Sequence, residues 1–241
     1  MKTALITGAN KSIGFEAARQ LAKKGYFVYL GSRDLEKGKE AVARLNAEGL
    51  TQLKAIQIDV SNKDSIAAAR NSITSLDLLI NNAGISGGFP QNPTEINTAI
   101  IREVFDTNFF GIIDVTQAFL DLLRKSAAPV IVNVTSGLGS LTLHSDPNWI
   151  YYAIKGGAYG PSKTALNAYT VALAYELRDT PFRINAVDPG HTATDFNHHR
   201  GTGTIEDAAT FVVKYATVGA DGPTGKFFSK DYAVEGNESP W

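Results

Sequence analysis

The chain of 241 residues contains no cysteine, one methionine, two tryptophans and four histidines. Without a thiol there is no disulfide, no thiolate nucleophile and no cysteine-ligated metal. Charge of either sign is nearly balanced: 23 basic and 24 acidic residues leave a net charge of −1. That balance removes any bulk attraction toward nucleic acid or an anionic membrane, although a local basic site for a phosphate is still allowed. Long hydrophobic runs are also missing, since none reaches the ~18 apolar residues that span a bilayer. The opening Met1 to Gly8 resembles a signal peptide only faintly. Its apolar part is too short, and a glycine motif begins at Gly8 before a cleavage site would fit. The expectation is a cytoplasmic protein with neither nucleic acid nor membrane as partner.

What is present is a repeated alternation. Short apolar runs occur at Ala4–Ile6, Tyr26–Leu30, Leu53–Ile58, Leu76–Ile80, Val130–Val134, Ile184–Val187 and Phe227–Phe228. Several are nearly continuous and β-branched, as strands covered on both faces require. Between them lie periodic segments such as Gly14–Lys24, Asp34–Glu48 and Asn62–Ile73, each long enough for a crossover helix. Strand–helix–strand repetition predicts a parallel sheet of about seven strands, doubly wound, in one domain. Ligands of such sheets bind beyond the carboxyl ends of the strands, so the informative residues are those that follow each run.

After the first run comes Thr7-Gly8-Ala9-Asn10-Lys11-Ser12-Ile13-Gly14, then a helix. Glycines let the backbone turn tightly and approach a pyrophosphate, and the helix that follows presents free N–H groups and a positive end. Alone, such a turn is also an ordinary strand–helix connection.

These motifs resemble those of the short-chain dehydrogenase/reductase family, over essentially the whole chain. The turn is similar to the family's Thr-Gly-x-x-x-Gly-x-Gly, except that Ser12 stands where the middle glycine is usual. If that position needs a positive φ, serine there is strained. Further along, Asp59-Val60 resembles the segment that binds the adenine, and Asn81-Asn82-Ala83-Gly84 the segment that lines the cofactor. Asn108 matches the family's helix asparagine and Ser136 its catalytic serine. Tyr159-Gly160-Pro161-Ser162-Lys163 matches Tyr-x-x-x-Lys, and Pro189, Gly190, Thr192 and Thr194 fall in the Pro-Gly segment at the nicotinamide end. Within the family the likeness is to carbonyl reductases, through Asn10-Lys11, Ser32-Arg33-Asp34, Asn108 to Gly111 and the tail from Gly222 to Trp241.

The resemblance implies a Rossmann-type fold and reversible hydride transfer from a nicotinamide cofactor to a ketone or aldehyde. Asn108, Ser136, Tyr159 and Lys163 would form the catalytic set. Tyr159 would donate the proton, and the Lys163 ammonium would lower its pKa from the usual ~10. Ser136 would orient the carbonyl, and Asn108 would hold a relay water. A regulator that binds NAD(P) without turnover is the alternative, and the four intact residues argue against it. Family members are often dimers or tetramers, so a homo-oligomer is allowed, although an insertion beside the catalytic helix favours a monomer.

A second Tyr-x-x-x-Lys, Tyr151 to Lys155, competes with the first. Its spacing from Ser136 is the more usual one in the family. Context nevertheless favours Tyr159, because Lys163 leads into a long helical run and Pro161 is tolerated in a first turn. Lys155 runs into Gly156-Gly157, which breaks a helix. Leu141 to Gly157 then reads as an insertion beside the substrate, with Trp149 and Tyr151 more readily explained by packing than by substrate contact. Leu138, Leu141, Trp149 and Phe196 suggest an apolar pocket.

Ser32 at the end of the second strand, with Arg33 after it and Lys11 in the turn, suits a ribose 2′-phosphate. NADP(H) is therefore expected ahead of NAD(H). Asp34 is the counter-indication, since a shift of one residue would bring it to the ribose. A polar loop of about 191–206 reads equally as a surface loop or a mobile lid over the substrate. His191, His198, His199 and Asp195 lack a metal-binding spacing, and no metal is expected. Ser136 lacks the glycine-flanked elbow of a hydrolase nucleophile.

Overall fold

The computed structural model describes residues 1–232 and 235–241. Seven strands are formed: β1 (Thr3–Ile6), β2 (Phe27–Ser32), β3 (Leu53–Gln57), β4 (Leu78–Asn81), β5 (Val130–Val134), β6 (Arg183–Asp188) and β7 (Lys226–Ser229). They pair in parallel in the order β3-β2-β1-β4-β5-β6-β7. Ala4 of β1 sits between Val28 of β2 and Leu78 of β4. The winding reverses at this point, and a crevice opens beyond the strand ends there.

The helices are α1 (Ser12–Lys23), α2 (Leu35–Ala47), α3 (Lys63–Asn71), α4 (Thr98–Phe105), α5 (Gly111–Leu123), α6 (Leu141–His144), α7 (Tyr159–Glu176) and α8 (Ile205–Ala216). Successive strand residues point to opposite faces of the sheet, which gives two cores. Ile6 and Leu30 pack with Leu21, Leu45 and Val212 of α1, α2 and α8. Leu5, Leu79 and Ile131 pack with Ile66, Phe119 and Leu173 of α3, α5 and α7. Each such side chain contributes roughly 1.5–3 kcal/mol when fully buried.

Local chemistry starts the helices. Asp34 accepts from the amides of Glu36 and Lys37 at 3.0 and 3.2 Å, capping α2. Asn62 caps α3 and Thr204 caps α8 through the amides of Ser65 and Asp207, at 3.0 and 3.1 Å. The polar loop that precedes α8 therefore ends at Thr204. α4 and α5 are joined through a π-helical turn, Asp106–Phe110, that carries Asn108.

Between β4, β5, α5 and α7 runs a buried polar ladder. Asn81 Nδ2 donates to Thr116 Oγ1 at 3.0 Å and to Asn133 Oδ1 at 2.9 Å. Asn133 Nδ2 donates in turn to Thr170 Oγ1 at 2.9 Å. Thr135 Oγ1 donates to Asn167 Oδ1 at 2.7 Å. Bonds of this kind fix α7 in rotation and height against β5, and α7 begins with Tyr159.

Candidate active site

The carboxyl ends of the strands open on a cleft of about 2100 Å³, ample for a dinucleotide and a second small molecule. At one end lies the glycine turn. Gly8 has φ 64°, and a Cβ on it would lie 3.0 Å from the Cα of Ala83. A Cβ on Gly14 would lie 2.6 Å from Asn82 Nδ2 and 2.7 Å from the Gly8 carbonyl. Asn82 Nδ2 donates to the carbonyls of Thr7 and Gly8 at 2.9 and 3.1 Å, so the turn and the end of β4 are stitched together. Ser12 has φ 51°, so serine does occupy the left-handed conformation that glycine usually fills. The strain is on the order of 1–2 kcal/mol.

Lys11 is the N-cap of α1, and its side chain makes no cap bond. Its ammonium instead lies 3.1 Å from Asp195 Oδ2, across the cleft. The first amides of α1 and its positive end border the cleft at Ser12 and Ile13. This cradle fits a pyrophosphate.

At the far side of the turn, Arg33, Asp59 and Val60 line the cleft. Asp59 Oδ1 accepts from the amide and hydroxyl of Ser61 at 3.0 and 2.7 Å. Ser32 is not on the cleft. Its side chain is buried under Gly38 of α2 and donates to the Asp34 carbonyl at 2.7 Å. The expectation that Ser32 meets the cofactor is therefore corrected: the pleat turns it toward α2. Asp34 caps α2 through Oδ1 and does not line the cleft, which argues against its meeting the ribose.

At the other end stand Ser136, Tyr159 and Lys163, on β5's exit and the first turn of α7. Lys163 is 4% exposed. Its Nζ donates to the Val134 carbonyl at 2.9 Å and lies 5.7 Å from the centroid of the Tyr159 ring. Burial pushes its pKa down to about 8, against the opposing pull of the Asp188 carboxylate. Burial, aided by Asp188, holds the Tyr159 phenol well above its usual value, while a hydrogen bond with Ser136 works the other way. The expected lowering of Tyr159 by Lys163 is not found: burial raises the phenol, and the group that works the other way is Ser136. Ser136 Oγ accepts from the Leu138 amide at 3.2 Å, which leaves its own proton for another acceptor.

Residues 2–204 match the family model described as short chain dehydrogenase. The chain belongs to that family. The (−)-isopiperitenone reductase of Mentha piperita is 34% identical to this dehydrogenase over 310 aligned positions, covering 96% of this chain and 97% of that protein. The (+)-neomenthol dehydrogenase of Capsicum annuum is 32% identical over 299 positions, covering 93% and 94%. Both alignments are longer than 241 residues, so these relatives carry stretches that have no counterpart here. Among solved structures, salutaridine reductase from Papaver somniferum superposes with a TM-score of 0.83 at 29% identity, covering 95% of this chain and 100% of that one.

In this short-chain dehydrogenase, Asn108 stands behind the cleft rather than in it. It is fully buried; its Oδ1 accepts from the Ile85 amide at 2.8 Å, and its Nδ2 donates to the Ile85 carbonyl at 2.9 Å and to Ser162 Oγ at 3.1 Å. Both amide protons are spent on protein, so the side chain is not the donor to a relay water. Its bonds hold the segment after Gly84 against α7. Gly84 itself is where the two meet, for a Cβ there would lie 3.2 Å from Asn108 Oδ1 and 3.7 Å from Lys163 Nζ.

The second tyrosine pair does not form a pair. Lys155 Nζ donates to the His144 carbonyl at 2.7 Å and lies over the Tyr152 ring, away from Tyr151. The Tyr151 hydroxyl donates to Asp231 Oδ2 at 2.9 Å. Trp149, Tyr151 and His191 meet edge to face, with centroids 5.4 and 5.8 Å apart, and all three line the cleft. Phe196 closes on Tyr159 from the polar loop, 5.2 Å between centroids. Tyr151 is therefore part of the cleft wall and not only packing. Leu138 also lines the cleft, whereas Leu141, 64% exposed, does not.

Pro189, Gly190, Thr192 and Thr194 all border the cleft beyond β6. The loop after them is pinned by Asn197, whose Nδ2 donates to the Thr192 carbonyl at 2.9 Å. Asp195 is held between Lys11 and His199, whose Nε2 lies 3.1 Å from it. Asp188 and Asp231 both line the cleft; the sequence reading placed Asp188 at the head of the Pro-Gly segment without giving it a role, and it did not reach Asp231. Asp188 closes a strand and directly precedes Pro189-Gly190, a position that could have flagged it. Asp231 gave no such signal.

Proposed function

We propose that this short-chain dehydrogenase reduces the carbonyl of a ketone or aldehyde to an alcohol, reversibly, with NADP(H) as hydride carrier. One observation carries the reading: Ser136, Tyr159 and Lys163 converge on the end of a cleft whose other end is a glycine turn and helix N-terminus. When bound, the cofactor supplies or takes up the hydride at the carbonyl carbon.

The remaining work falls to the chain. Negative charge develops on the substrate oxygen, and a donor must stand there. Tyr159 supplies that proton; its raised pKa keeps the phenol protonated across the neutral range. Ser136 donates a second hydrogen bond to the same oxygen and orients it. Lys163, anchored on the Val134 carbonyl, keeps its other protons for the Tyr159 side and would hold the cofactor ribose with them. In the oxidising direction Tyr159 receives the proton. Asn108 positions Ile85 and α7.

Gly8, Asn10, Ser12, Ile13 and Gly14 would hold the pyrophosphate, and Lys11 with Arg33 the 2′-phosphate. Asp59 and Val60 would meet the adenine. Asn82, Ala83, Gly84, Pro189, Gly190, Thr192 and Thr194 would border the nicotinamide half. NAD(H), lacking the 2′-phosphate, would bind more weakly. Leu138, Trp149, Tyr151 and Phe196 support a bulky apolar carbonyl compound as substrate. The names of the relatives, isopiperitenone reductase and salutaridine reductase, support reduction as the working direction. No helix among the described residues is long and apolar enough to cross a membrane. Our reading places the chain in the cytoplasm and leaves both a monomer and a homo-oligomer open.

The test is a panel of cyclic, aromatic and aliphatic ketones and aldehydes, assayed with NADPH and with NADH by cofactor absorbance. Turnover of bulky cyclic or aromatic ketones with NADPH is expected. Cofactor binding without turnover on any member would replace this reading with that of a cofactor-binding regulator.

A further inference from the structure

One buried ionisable group on the cleft has no part in the chemistry above. Asp188 ends β6 and is 5% exposed. Its ladder partner at the tip of β7 is Ser229, itself 2% exposed, whose Oγ donates to Asp188 Oδ2 at 2.7 Å. The Gly190 amide donates to Oδ1 at 3.0 Å. The amide of Gly137, from the exit of β5, adds a further donor. Three neighbouring strand ends thus fix one carboxylate in place.

Such a group is costly to bury unless something compensates its charge. Among the described residues, no lysine or arginine forms an ion pair with Asp188. The titratable groups around it are Asp231 after β7, Tyr151 before α7, His191 on its own loop, and Tyr159 and Lys163 on α7. Of these, Lys163 is the cation, and it too is buried, with a neutral carbonyl as its hydrogen-bond partner. Val134, whose carbonyl holds the Lys163 ammonium, is the register partner of Val187, the residue before Asp188, so a buried carboxylate and a buried ammonium, neither of them in an ion pair, stand at adjacent strand ends.

We propose that Asp188 is a positioning residue for the Tyr159–Lys163 pair: held by β5, β6 and β7, its carboxylate is the anion that keeps the buried Lys163 ammonium charged. The inference rests on the site reading above. The electrostatics agree in direction. Asp188 opposes the desolvation that brings Lys163 down to about 8, and it also helps keep the Tyr159 phenol protonated. Its own pKa, pushed up to about 6 by burial, leaves it ionised at neutral pH. Without that anion Lys163 would shed its proton at lower pH, and the reaction would lose its electrostatic support on the alkaline side.

The experiment is the pH profile of kcat/KM for carbonyl reduction in the full-length protein, with Asp188→Asn, Asp188→Ser and Ser229→Ala. The alkaline limb is expected to move to lower pH by roughly one unit in both neutral Asp188 variants, the size of effect one nearby opposite charge exerts. Ser229→Ala keeps the charge and should keep the limb where the wild type has it. Using two neutral variants, one isosteric and one smaller, frees the result from the folding of either. An alkaline limb unchanged in the Asp188 variants, or moved equally by Ser229→Ala, would overturn the proposal. Tyr159→Phe and Lys163→Met are run alongside. If they retain turnover, the site reading itself has failed; if they lose it while the Asp188 profiles match wild type, this inference alone has failed.

Discussion

Lys163 Nζ donates to the carbonyl of Val134, the last residue of β5, at 2.9 Å. One turn before it on α7 stands Tyr159, so the same bond that seats the ammonium also sets the phenol over the strand ends. Ser136 follows two residues after Val134, and the three groups therefore share one anchor. This arrangement separates the two candidate tyrosines. Tyr159→Phe is expected to lower kcat for reduction by about 10²–10⁴-fold, the range of a general acid. Tyr151→Phe removes a hydroxyl bonded to Asp231 and should raise KM about fivefold with kcat little changed, the ~1 kcal/mol of one hydrogen bond. Steady-state kinetics on one ketone decides it, and the reverse pattern would move the catalytic role to Tyr151.

Cofactor preference depends on Arg33 and Lys11. Arg33→Ala should weaken NADPH binding by roughly 10–100-fold, the ~1.5–3 kcal/mol of charged hydrogen bonds, and leave NADH binding unchanged. Lys11 is meanwhile shared with Asp195 across the cleft. Asp195→Asn should release it and tighten NADPH by no more than about fivefold, since an exposed pair contributes ~0–1 kcal/mol. Fluorescence titration of both cofactors checks both variants. Equal loss of NADPH and NADH on Arg33→Ala would remove the 2′-phosphate from its vicinity.

Much of this was legible in the sequence because it depends on neighbours in the chain. The strand runs, the glycine turn and a helix that begins at Tyr159 rather than Tyr151 follow from periodicity, from Pro161 and from Gly156-Gly157. What was hidden depends on pleat and on long-range contact. Ser32 was read onto the cofactor, but the last residue of β2 faces α2, and one position decides that. Asn108 is spent on Ile85 and Ser162, and the latter lies 54 residues away. Asp188 finds Ser229 at a separation of 41 residues, and Asp231 finds Tyr151 at 80, so no local pattern announces either bond.

Ser12 offers a test of strain. Its φ of 51° costs on the order of 1–2 kcal/mol in a residue with a Cβ, while glycine in its place gives back about 0.5–1 kcal/mol through the freer unfolded chain. Ser12→Gly should therefore raise stability by about 0–1.5 kcal/mol in urea unfolding. NADPH affinity should stay close to wild type, because the backbone amide remains. A loss of stability would show that the serine hydroxyl contributes more than the strain removes.

Asp188 also makes stability depend on pH, with a definite sign. Its folded pKa of about 6 lies above the ~3.9 of an unfolded aspartate, so the folded state binds the proton more tightly. The corresponding stability is present below about pH 4 and is lost as pH rises through about 6. At 1.36 kcal/mol per unit the loss is on the order of 2–3 kcal/mol, a sizeable part of a domain's margin. Asp188→Asn cannot ionise, so its stability relative to wild type should climb between pH 4 and pH 7, whatever constant offset the amide brings. Denaturant unfolding of both proteins across that interval measures the difference directly. Parallel curves would mean that the carboxylate is not perturbed by its burial. A rising difference, together with the weakened alkaline activity expected of the same variant, would show that this fold keeps a destabilising buried charge because the neighbouring lysine uses it.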